Sequence, residues 1–397
     1  KKKLAPKTSK FSGFSIKNMQ LYIHVPFCKS KCRYCDFNSY ACHDKQAIFE
    51  YLNVLDDEIR LASEQYGKEK TDTICVGGGT PSLIEGSLMW SLLNNLACRF
   101  DLSHLKEWTI ECNPESINEQ KLELYKDVGI NRISIGVQSL FDDNLKAIGR
   151  LHDAKTAIEK IKLARRYFDN VSADLIIGLP FDTNERIKAE VETLAPLVKH
   201  LSMYELSVEE GTALDRMVKQ GKIVLPDDDK TQDLFDCAFD CANACGFERY
   251  EVSNFAKDGK ISLHNFGYWQ REEYLGFGAG AHSFLKNSKK NGNTTKDFSG
   301  QVRYANFRSL SDYKNAVESA NTYDEICRDF CEYLTEKDVN EEEIMLALRT
   351  NKGIKEELLP LVPQNLEKYF ERKNGYASLT REGMAVMNSI LVEILNI

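Results

Sequence analysis

The sequence lacks any long hydrophobic run. None of its 397 residues lies in a stretch approaching the roughly 18 consecutive apolar residues that a transmembrane helix needs. The lysine-rich N-terminus has no apolar segment followed by a cleavage site, so a secretory signal is not expected there. An excess of basic residues is also missing, because 52 Lys and Arg stand against 60 Asp and Glu, a net charge of −8. This balance disfavours a general electrostatic grip on nucleic acid or anionic lipid. We therefore expect a soluble, cytoplasmic protein with no nucleic-acid partner.

The composition, with 42% hydrophobic and 28% charged residues, is that of an ordinary globular protein. The length fits two or three domains. Twelve cysteines are many for a cytosolic chain, but a chain of this length builds its own core, so a disulfide scaffold is not expected. Residues 1–17 contain six lysines and few core-forming residues, and we expect them to form a flexible tail.

From residue 18 onwards, short β-rich apolar runs alternate with longer stretches of helical periodicity. This alternation predicts an α/β fold built from right-handed βαβ units around a parallel sheet. Six units indicate a partial (β/α)6 barrel, since a full barrel needs eight. The predicted strands are 21–25, 73–76, 108–112, 132–137, 171–177 and 201–206. The predicted helices are 48–64, 86–98, 118–128, 142–148, 154–168 and 185–198.

The alternation ends near residue 207. A helix at 230–246 and an antiparallel extension complete a predicted core of residues 18–305, and the polar segment 291–299 is predicted to be a loop. Residues 306–397 are expected to form a mostly helical C-terminal accessory domain. Within it, a hairpin or wing at about 374–380 precedes a helix that begins at Thr380. A winged-helix element is compatible with nucleic-acid binding, but the acidic balance and the lack of a basic stripe argue against that function.

Three cysteines, Cys28, Cys32 and Cys35, follow the first predicted strand with the spacing C-x3-C-x2-C. Such a tight cluster suits a small metal centre better than three unrelated thiols in a loop. Zinc normally takes four ligands, and no fourth cysteine or histidine stands at ordinary finger spacing. A four-iron cluster held by three thiolates would leave one iron free to bind a substrate.

This spacing resembles that of the radical S-adenosylmethionine superfamily. The turn after the second predicted strand, Gly77-Gly78-Gly79-Thr80-Pro81, is similar to the glycine motif of that superfamily, which contacts the amino group of the methionine moiety. The resemblance implies a [4Fe–4S] cluster on the three cysteines, with S-adenosylmethionine held beside it by Gly78, Gly79 and Thr80. It also implies reductive cleavage of the sulfonium to a deoxyadenosyl radical, a reaction that the cofactor supplies.

Polar residues near other strand ends extend the resemblance. Glu111, Gln138 and Asp174 lie at the ends of the third, fourth and fifth predicted strands, and Arg150 follows the helix after the fourth. Taken singly, each is more typical of a surface or capping residue. Together with Tyr22 they match the superfamily's contacts to S-adenosylmethionine. Carboxylates suit ribose hydroxyls, and a guanidinium suits the methionyl carboxylate.

From about residue 20 to the C-terminus, the order of motifs resembles the oxygen-independent coproporphyrinogen III oxidase group. This group contains the true oxidases, which decarboxylate two propionates of coproporphyrinogen III, and the HemW-type heme chaperones. Position 37 is Phe37, where the oxidases typically carry a further cysteine, and only 27 residues precede Cys28, whereas the oxidases have a longer extension. The pattern H-N-x-x-Y-W at 264–269 is typical of the chaperones. These features favour the chaperone branch.

The H-N-x-x-Y-W pattern also suggests how heme is bound. His264 is a candidate axial ligand of heme iron, with Tyr268 and Trp269 as flat neighbouring surfaces. The alternative is that His264 is a core histidine in an aromatic cluster, and His282 is then the nearest competing ligand. His24 is expected to be structural, with its side chain near the cysteine loop.

The resemblance implies a chaperone that carries heme as cargo and delivers it to respiratory-chain proteins. It also implies dimerisation and loose peripheral contact with a membrane. Two alternatives stay open: a true coproporphyrinogen III oxidase of porphyrin biosynthesis, and a cluster-binding barrel that acts on an unrelated substrate. All three hypotheses include the cluster and S-adenosylmethionine, and they differ in the molecule that is bound beside them.

A second group of cysteines, Cys237, Cys241 and Cys245, is spaced i, i+4 and i+8 along one predicted helix. The first and last are separated by about 12 Å at ~1.5 Å per residue, too far to ligate one small cluster. We expect them to form a buried stripe of small hydrophobic side chains, and the same for Cys327 and Cys331.

Overall fold

A central sheet of parallel strands organises the chain. The computed structural model describes residues 19–286 and 298–395, so the expected tail at 1–17 and most of the expected loop at 291–299 lie outside the described residues. All six predicted strands are present, and they pair in chain order with parallel neighbours. Their bounds are Met19–Val25, Thr71–Gly78, Glu107–Cys112, Arg132–Gln138, Asn170–Ile177 and His200–Glu205.

Helices connect each of these strands to the next, as parallel pairing requires, which confirms the predicted partial (β/α)6 barrel. Their N-termini are often capped as the sequence dictates; the Asp44 carboxylate, for example, accepts bonds from two backbone amides of the first helix. The strands are buried along most of their length. The connecting helices are Lys45–Tyr66, Gly86–Arg99, Glu119–Val128, Asp142–Ala147, Ala154–Arg165 and Asn184–Leu194.

The sheet continues at both edges to twelve strands within the described residues. Beside the first strand lies a seventh parallel strand, Tyr274–Phe277, which the sequence alternation did not predict because only the short helix Leu263–Trp269 precedes it. The predicted antiparallel extension is found at both edges. Its strands are Glu248–Arg249, Asn254–Ala256, His282–Leu285, Phe298–Ala305 and Phe330–Thr335.

Residues 306–335 pack on the large sheet. Leu310–Glu318 buries Tyr313 and Val317 in the same core as the parallel strands, and Phe330–Thr335 pairs with Phe298–Ala305 at the sheet edge. A separate hydrophobic cluster begins only with the helix Glu336–Ala347.

The C-terminal cluster combines helices with a small three-stranded sheet. A hairpin lies where the sequence suggests one, and it turns through Asn374 and Gly375, both with positive φ. Thr380 then caps the next helix. The elements after Glu336–Ala347 are Ile354–Lys355, Phe370–Lys373, Tyr376–Leu379, Arg381–Ala385 and Met387–Leu395.

Two more helices, Ala213–Lys219 and Asp228–Ala244, follow the sixth parallel strand. The latter carries Cys237 and Cys241, and Cys245 directly follows it; all three are half-buried and packed against the main core, as are Cys327 and Cys331. None of the helices within 19–286 and 298–395 is both long enough and apolar enough to cross a bilayer.

Candidate functional site

The three clustered cysteines lie on a loop at the C-terminal end of the first parallel strand. The loop is closed by a short pairing of Phe27–Cys28 with Tyr40–Ala41, and the Cys35 amide donates to the Cys32 carbonyl at 3.2 Å. Cys28 is buried, and Cys32 and Cys35 are half-buried. All three line one cavity of about 510 Å³ at the carboxyl ends of the parallel strands. This is the edge where parallel α/β sheets usually place their functional groups.

The same cavity brings together every residue predicted to contact S-adenosylmethionine except Tyr22. It is lined by Gly78, Gly79, Thr80, Glu111, Gln138, Arg150 and Asp174 in addition to the cysteines. Tyr22 instead lines a neighbouring cavity, and its hydroxyl is hydrogen-bonded to His24 Nδ1 at 3.0 Å. The other nitrogen of His24 bonds the Asn38 carbonyl at 2.9 Å, so this ring holds the segment after Cys35 in place, the structural role that the sequence suggested.

The glycine turn lets the second strand end directly against the cysteine loop. Gly78 has φ +113, which favours glycine, and a Cβ atom there would approach the His24 ring to 2.6 Å. A Cβ atom on Gly79 would approach the Phe27 backbone to 2.8 Å. The turn ends at Thr80, whose hydroxyl donates to Cys28 Sγ at 3.5 Å. The glycines are therefore required by close backbone packing around the cysteines.

Arg150 connects the cysteine loop to two other strand ends. Its guanidinium donates to Cys32 Sγ at 3.5 Å, to Asn113 Oδ1 at 2.8 Å and to the Gly136 carbonyl at 2.7 Å. Its Nε atom is buried and has no hydrogen-bond partner in the part of the chain that the structure describes. A buried donor of this kind is costly unless a further acceptor meets it. The site therefore offers a cationic donor to an anionic group.

Two carboxylates, those of Glu111 and Asp174, line the same cavity. Glu111 accepts a bond from the Gly78 amide at 3.2 Å, and Asp174 accepts one from the Ser134 hydroxyl at 3.1 Å. Burial, together with the nearby charge of Asp174, raises the pKa of Glu111 to about 7. Burial also raises the pKa of Asp174, although hydrogen bonds from Ser202 and Ser134 oppose the shift. The pair offers acceptors to hydroxyl groups or to a cation.

Several lining residues were not identified from the sequence. Asn113 links Arg150 to the glycine turn, because its amide also donates to Thr80 Oγ1 at 3.1 Å. Tyr34 and Tyr204 also line the cavity. Their one available signal was position: Asn113 directly follows the third strand, and Tyr204 lies near the end of the sixth. A position near a strand end indicates a lining residue only once the parallel sheet is known.

These residues fit a [4Fe–4S] cluster with S-adenosylmethionine beside it. Three thiols share one cavity, the orphaned Arg150 Nε suits the methionyl carboxylate, and Glu111 and Asp174 suit ribose hydroxyls. In the described ranges no three cysteine, histidine or carboxylate side chains are placed to hold a single metal ion.

The predicted heme residues occupy a different place. His264 lies on the helix Leu263–Trp269 and is buried; its Nδ1 is hydrogen-bonded to Thr73 Oγ1 and its Nε2 to the Tyr268 hydroxyl, both at 2.8 Å. Burial lowers the pKa of His264 to about 3, so the ring is neutral. Tyr268 lines the neighbouring cavity, and Trp269 is half-buried. In this arrangement neither nitrogen of His264 is free for iron, and its role as a heme ligand stays a prediction.

Several known proteins are similar to this chain in sequence or in fold. Residues 22–194 match the family described as the Radical SAM superfamily. The heme chaperone HemW of Bacillus subtilis is 35% identical over 337 residues, which cover 84% of each protein. The mitochondrial radical S-adenosyl methionine domain-containing protein 1 of Mus musculus is 33% identical over 341 residues, or 84% of this chain and 74% of that protein.

Among solved structures, the coproporphyrinogen III oxidase HemN of Escherichia coli, a radical SAM enzyme, superposes with a TM-score of 0.76. The match covers 98% of this chain and 91% of that one at 20% identity, which shows a shared fold. The sequence relationship is more specific than the fold, because it extends at 35% identity over most of the chain. The chain therefore belongs to the radical SAM superfamily and, within it, to the HemW family.

Proposed function

We propose that this protein is a heme chaperone that holds a [4Fe–4S] cluster and S-adenosylmethionine, binds heme and delivers it to respiratory-chain proteins. The observation that carries the proposal is the convergence of Cys28, Cys32 and Cys35 on one cavity in a chain related to heme chaperones over most of its length. Phe37 adds to it, because a further cysteine is typical of the oxidases at this position.

In this proposal the chain's own residues bind and orient the cofactors. The three thiolates hold the cluster, and the Arg150 guanidinium donates to Cys32 Sγ while its Nε meets the methionyl carboxylate. Glu111 and Asp174 accept hydrogen bonds from the ribose. When bound and reduced, the cluster supplies the electron that cleaves the sulfonium.

We expect Glu111→Gln to weaken S-adenosylmethionine binding by about 1.5–3 kcal/mol, or ~10- to 150-fold, because a charged acceptor is replaced by a neutral amide. The pKa of Glu111 is about 7, so the affinity of the unaltered protein should fall as the pH is lowered through 7 and the carboxylate is protonated. The part of this pH dependence that is due to Glu111 should disappear in the variant. Isothermal titration calorimetry of cluster-loaded protein between pH 6 and 8.5 measures both effects.

The control for this experiment is Glu85→Gln, which changes an exposed carboxylate outside the cavity. Its affinity and pH profile should equal those of the unaltered protein. If Glu111→Gln also kept both, Glu111 would not contact the cofactor.

The function itself is tested by two assays on anaerobic, cluster-loaded protein. Ferric heme titrated into the protein should give a saturable Soret difference spectrum with one heme per chain. In the second assay, coproporphyrinogen III with S-adenosylmethionine and a reductant should give no protoporphyrinogen. Turnover of coproporphyrinogen III would make the protein an oxidase, and absence of heme binding and of turnover would favour an unrelated substrate.

A further inference from the structure

A second cavity, of about 600 Å³, lies beside the cysteine loop on the side of the first parallel strand. It opens between the added edge strands and the helix Glu336–Ala347, and its volume is within the range of small-molecule sites. Asp36 and Phe37 line both this cavity and the cysteine cavity. The two spaces are thus neighbours that share one wall, formed by the two residues directly after Cys35.

One wall of this cavity is aromatic. The rings of Tyr268 and Tyr274 meet edge to face with centroids 4.8 Å apart. The centroids of the Tyr274 and Phe284 rings are 6.3 Å apart. At the shared boundary Phe37 leaves 69% of its surface exposed, which is costly for a phenylalanine without a partner. This surface suits a large, flat, apolar ligand.

His282 supplies a free imidazole to the same cavity. It begins the edge strand His282–Leu285 and is exposed, and no residue of the described parts of the chain forms a hydrogen bond with its ring. Desolvation, with the charges of Arg303 and Arg308, lowers the pKa of His282. The ring is therefore neutral near pH 7, the form whose nitrogen lone pair binds a metal. Its unbonded ring nitrogens distinguish it from His264, whose two nitrogens are both occupied.

The cavity also contains cationic groups. Arg303 bonds Glu332 at 3.4 Å and also contacts Glu342, and Arg271 pairs with Glu342. Arg308 is exposed and has no ion-pair partner among the residues that the structure describes. A guanidinium without a carboxylate, at the rim of an apolar cavity, suits a carboxylate on the ligand.

We propose that this cavity is the heme site, with His282 as an axial ligand of the iron and Arg308 binding a propionate. Heme combines the features that the cavity selects: a flat apolar macrocycle for Tyr268, Tyr274 and Phe284, a metal for the free imidazole, and two carboxylates. This inference rests on the proposed function and adds the location of its cargo. It places the heme next to the cluster cavity, across the wall formed by Asp36 and Phe37.

The first test is His282→Gly in cluster-loaded protein, where the cluster keeps the three cysteines from binding heme. Ferric heme is titrated and followed by its Soret difference spectrum. We expect at least a tenfold loss of affinity and a shifted Soret maximum, and we expect added imidazole to restore the original spectrum by filling the vacated position. His104→Gly, which changes an exposed histidine outside the cavity, should bind heme like the unaltered protein.

The second test is Arg308→Gln, titrated with ferric heme and with its dimethyl ester. We expect about a fivefold or greater loss of affinity for heme and no loss for the ester, whose propionates carry no charge. An equal effect on both ligands would remove Arg308 from the site.

The outcomes distinguish a wrong location of the heme site from a wrong proposed function. If the unaltered protein bound no heme, the proposed function would fail. If it bound heme, but His282→Gly kept full affinity and its Soret spectrum, the proposed function would stand and this location would be wrong. Loss of binding in His282→Gly without rescue by imidazole would also contradict axial ligation by His282.

Discussion

Replacing Cys28, Cys32 or Cys35 by alanine is expected to abolish the iron–sulfur cluster. All three thiols line the same cavity, and a cluster that loses one of three protein ligands exposes a second iron to solvent and reducing agents. Each variant should contain less than about a tenth of the iron and sulfide of the unaltered protein after anaerobic reconstitution, because metal affinity is lost together with the ligand. Iron and sulfide analysis with the charge-transfer absorbance measures this loss.

Cys42→Ala is the matched control for these variants. Cys42 belongs to the same loop, since its amide donates to the Cys28 carbonyl at 3.0 Å, but its side chain does not line the cluster cavity. We expect it to retain the full cluster content. Thermal unfolding followed by circular dichroism will show whether a cysteine variant has lost the cluster alone or the fold as well. A correctly folded Cys32→Ala with undiminished iron would contradict the cluster assignment.

The fold of the core could be predicted from the sequence because its signals are local. The six parallel strands are continuous apolar runs, and each is separated from the next by a helix with its own periodicity, so strand order follows from chain order. Tyr274–Phe277 could not be found in this way. It has four residues, and its place beside Met19–Val25 depends on pairing between residues 254 positions apart, such as Gln20 and Tyr274.

The cavity lined by Cys28, Cys32 and Cys35 could be predicted for a related reason. Cys28 follows the first parallel strand and Glu111 lies near the end of the third, and parallel strands bring their carboxyl ends to one edge. Tyr22 lies in the middle of the first strand, where its hydroxyl bonds His24 and its side chain lines the neighbouring cavity, so its contact to S-adenosylmethionine stays a prediction.

The contrast between His264 and His282 shows that a sequence motif alone does not identify a histidine able to bind iron. The pattern H-N-x-x-Y-W drew attention to His264, but the availability of a ring nitrogen depends on partners distant in sequence. Thr73, 191 residues away, occupies one nitrogen of His264, and Tyr268 of the motif itself occupies the other. His282 belongs to no such pattern, and no residue between 19 and 286 or between 298 and 395 forms a hydrogen bond with its ring. Ligand capacity is a property of the folded surroundings, which one sequence does not reveal.

A buried carboxylate, Glu58, joins the first helix to the edge strands. It accepts bonds from the Gly278 amide, the Asn306 amide and the Tyr313 hydroxyl, each at 2.8 Å, and from the Arg328 guanidinium at 3.1 Å. The side chains of Glu58 and Arg328 are 0% and 2% exposed. All four partners are donors, so the site is built for an ionised acceptor and for no other group of this shape.

Glu58→Gln is expected to lower the free energy of unfolding by about 3–5 kcal/mol, a large part of the ~5–15 kcal/mol that stabilises a typical domain. The amide leaves the Arg328 charge buried without a counter-charge, and its NH2 group must face donors that bonded the carboxylate. Denaturant unfolding measures the loss, with Glu64→Gln on the same helix as the control. Glu64 forms an exposed pair with Arg60, worth at most about 1 kcal/mol.

Arg328→Met combined with Glu58→Leu separates the burial of charge from the loss of packing. Each single change leaves one buried charge, or the donors that bonded it, without a partner. The double variant removes both charges, so its destabilisation should be smaller than the sum of the destabilisations of the two single variants. Additive losses would mean that the two side chains act independently, despite their 3.1 Å contact.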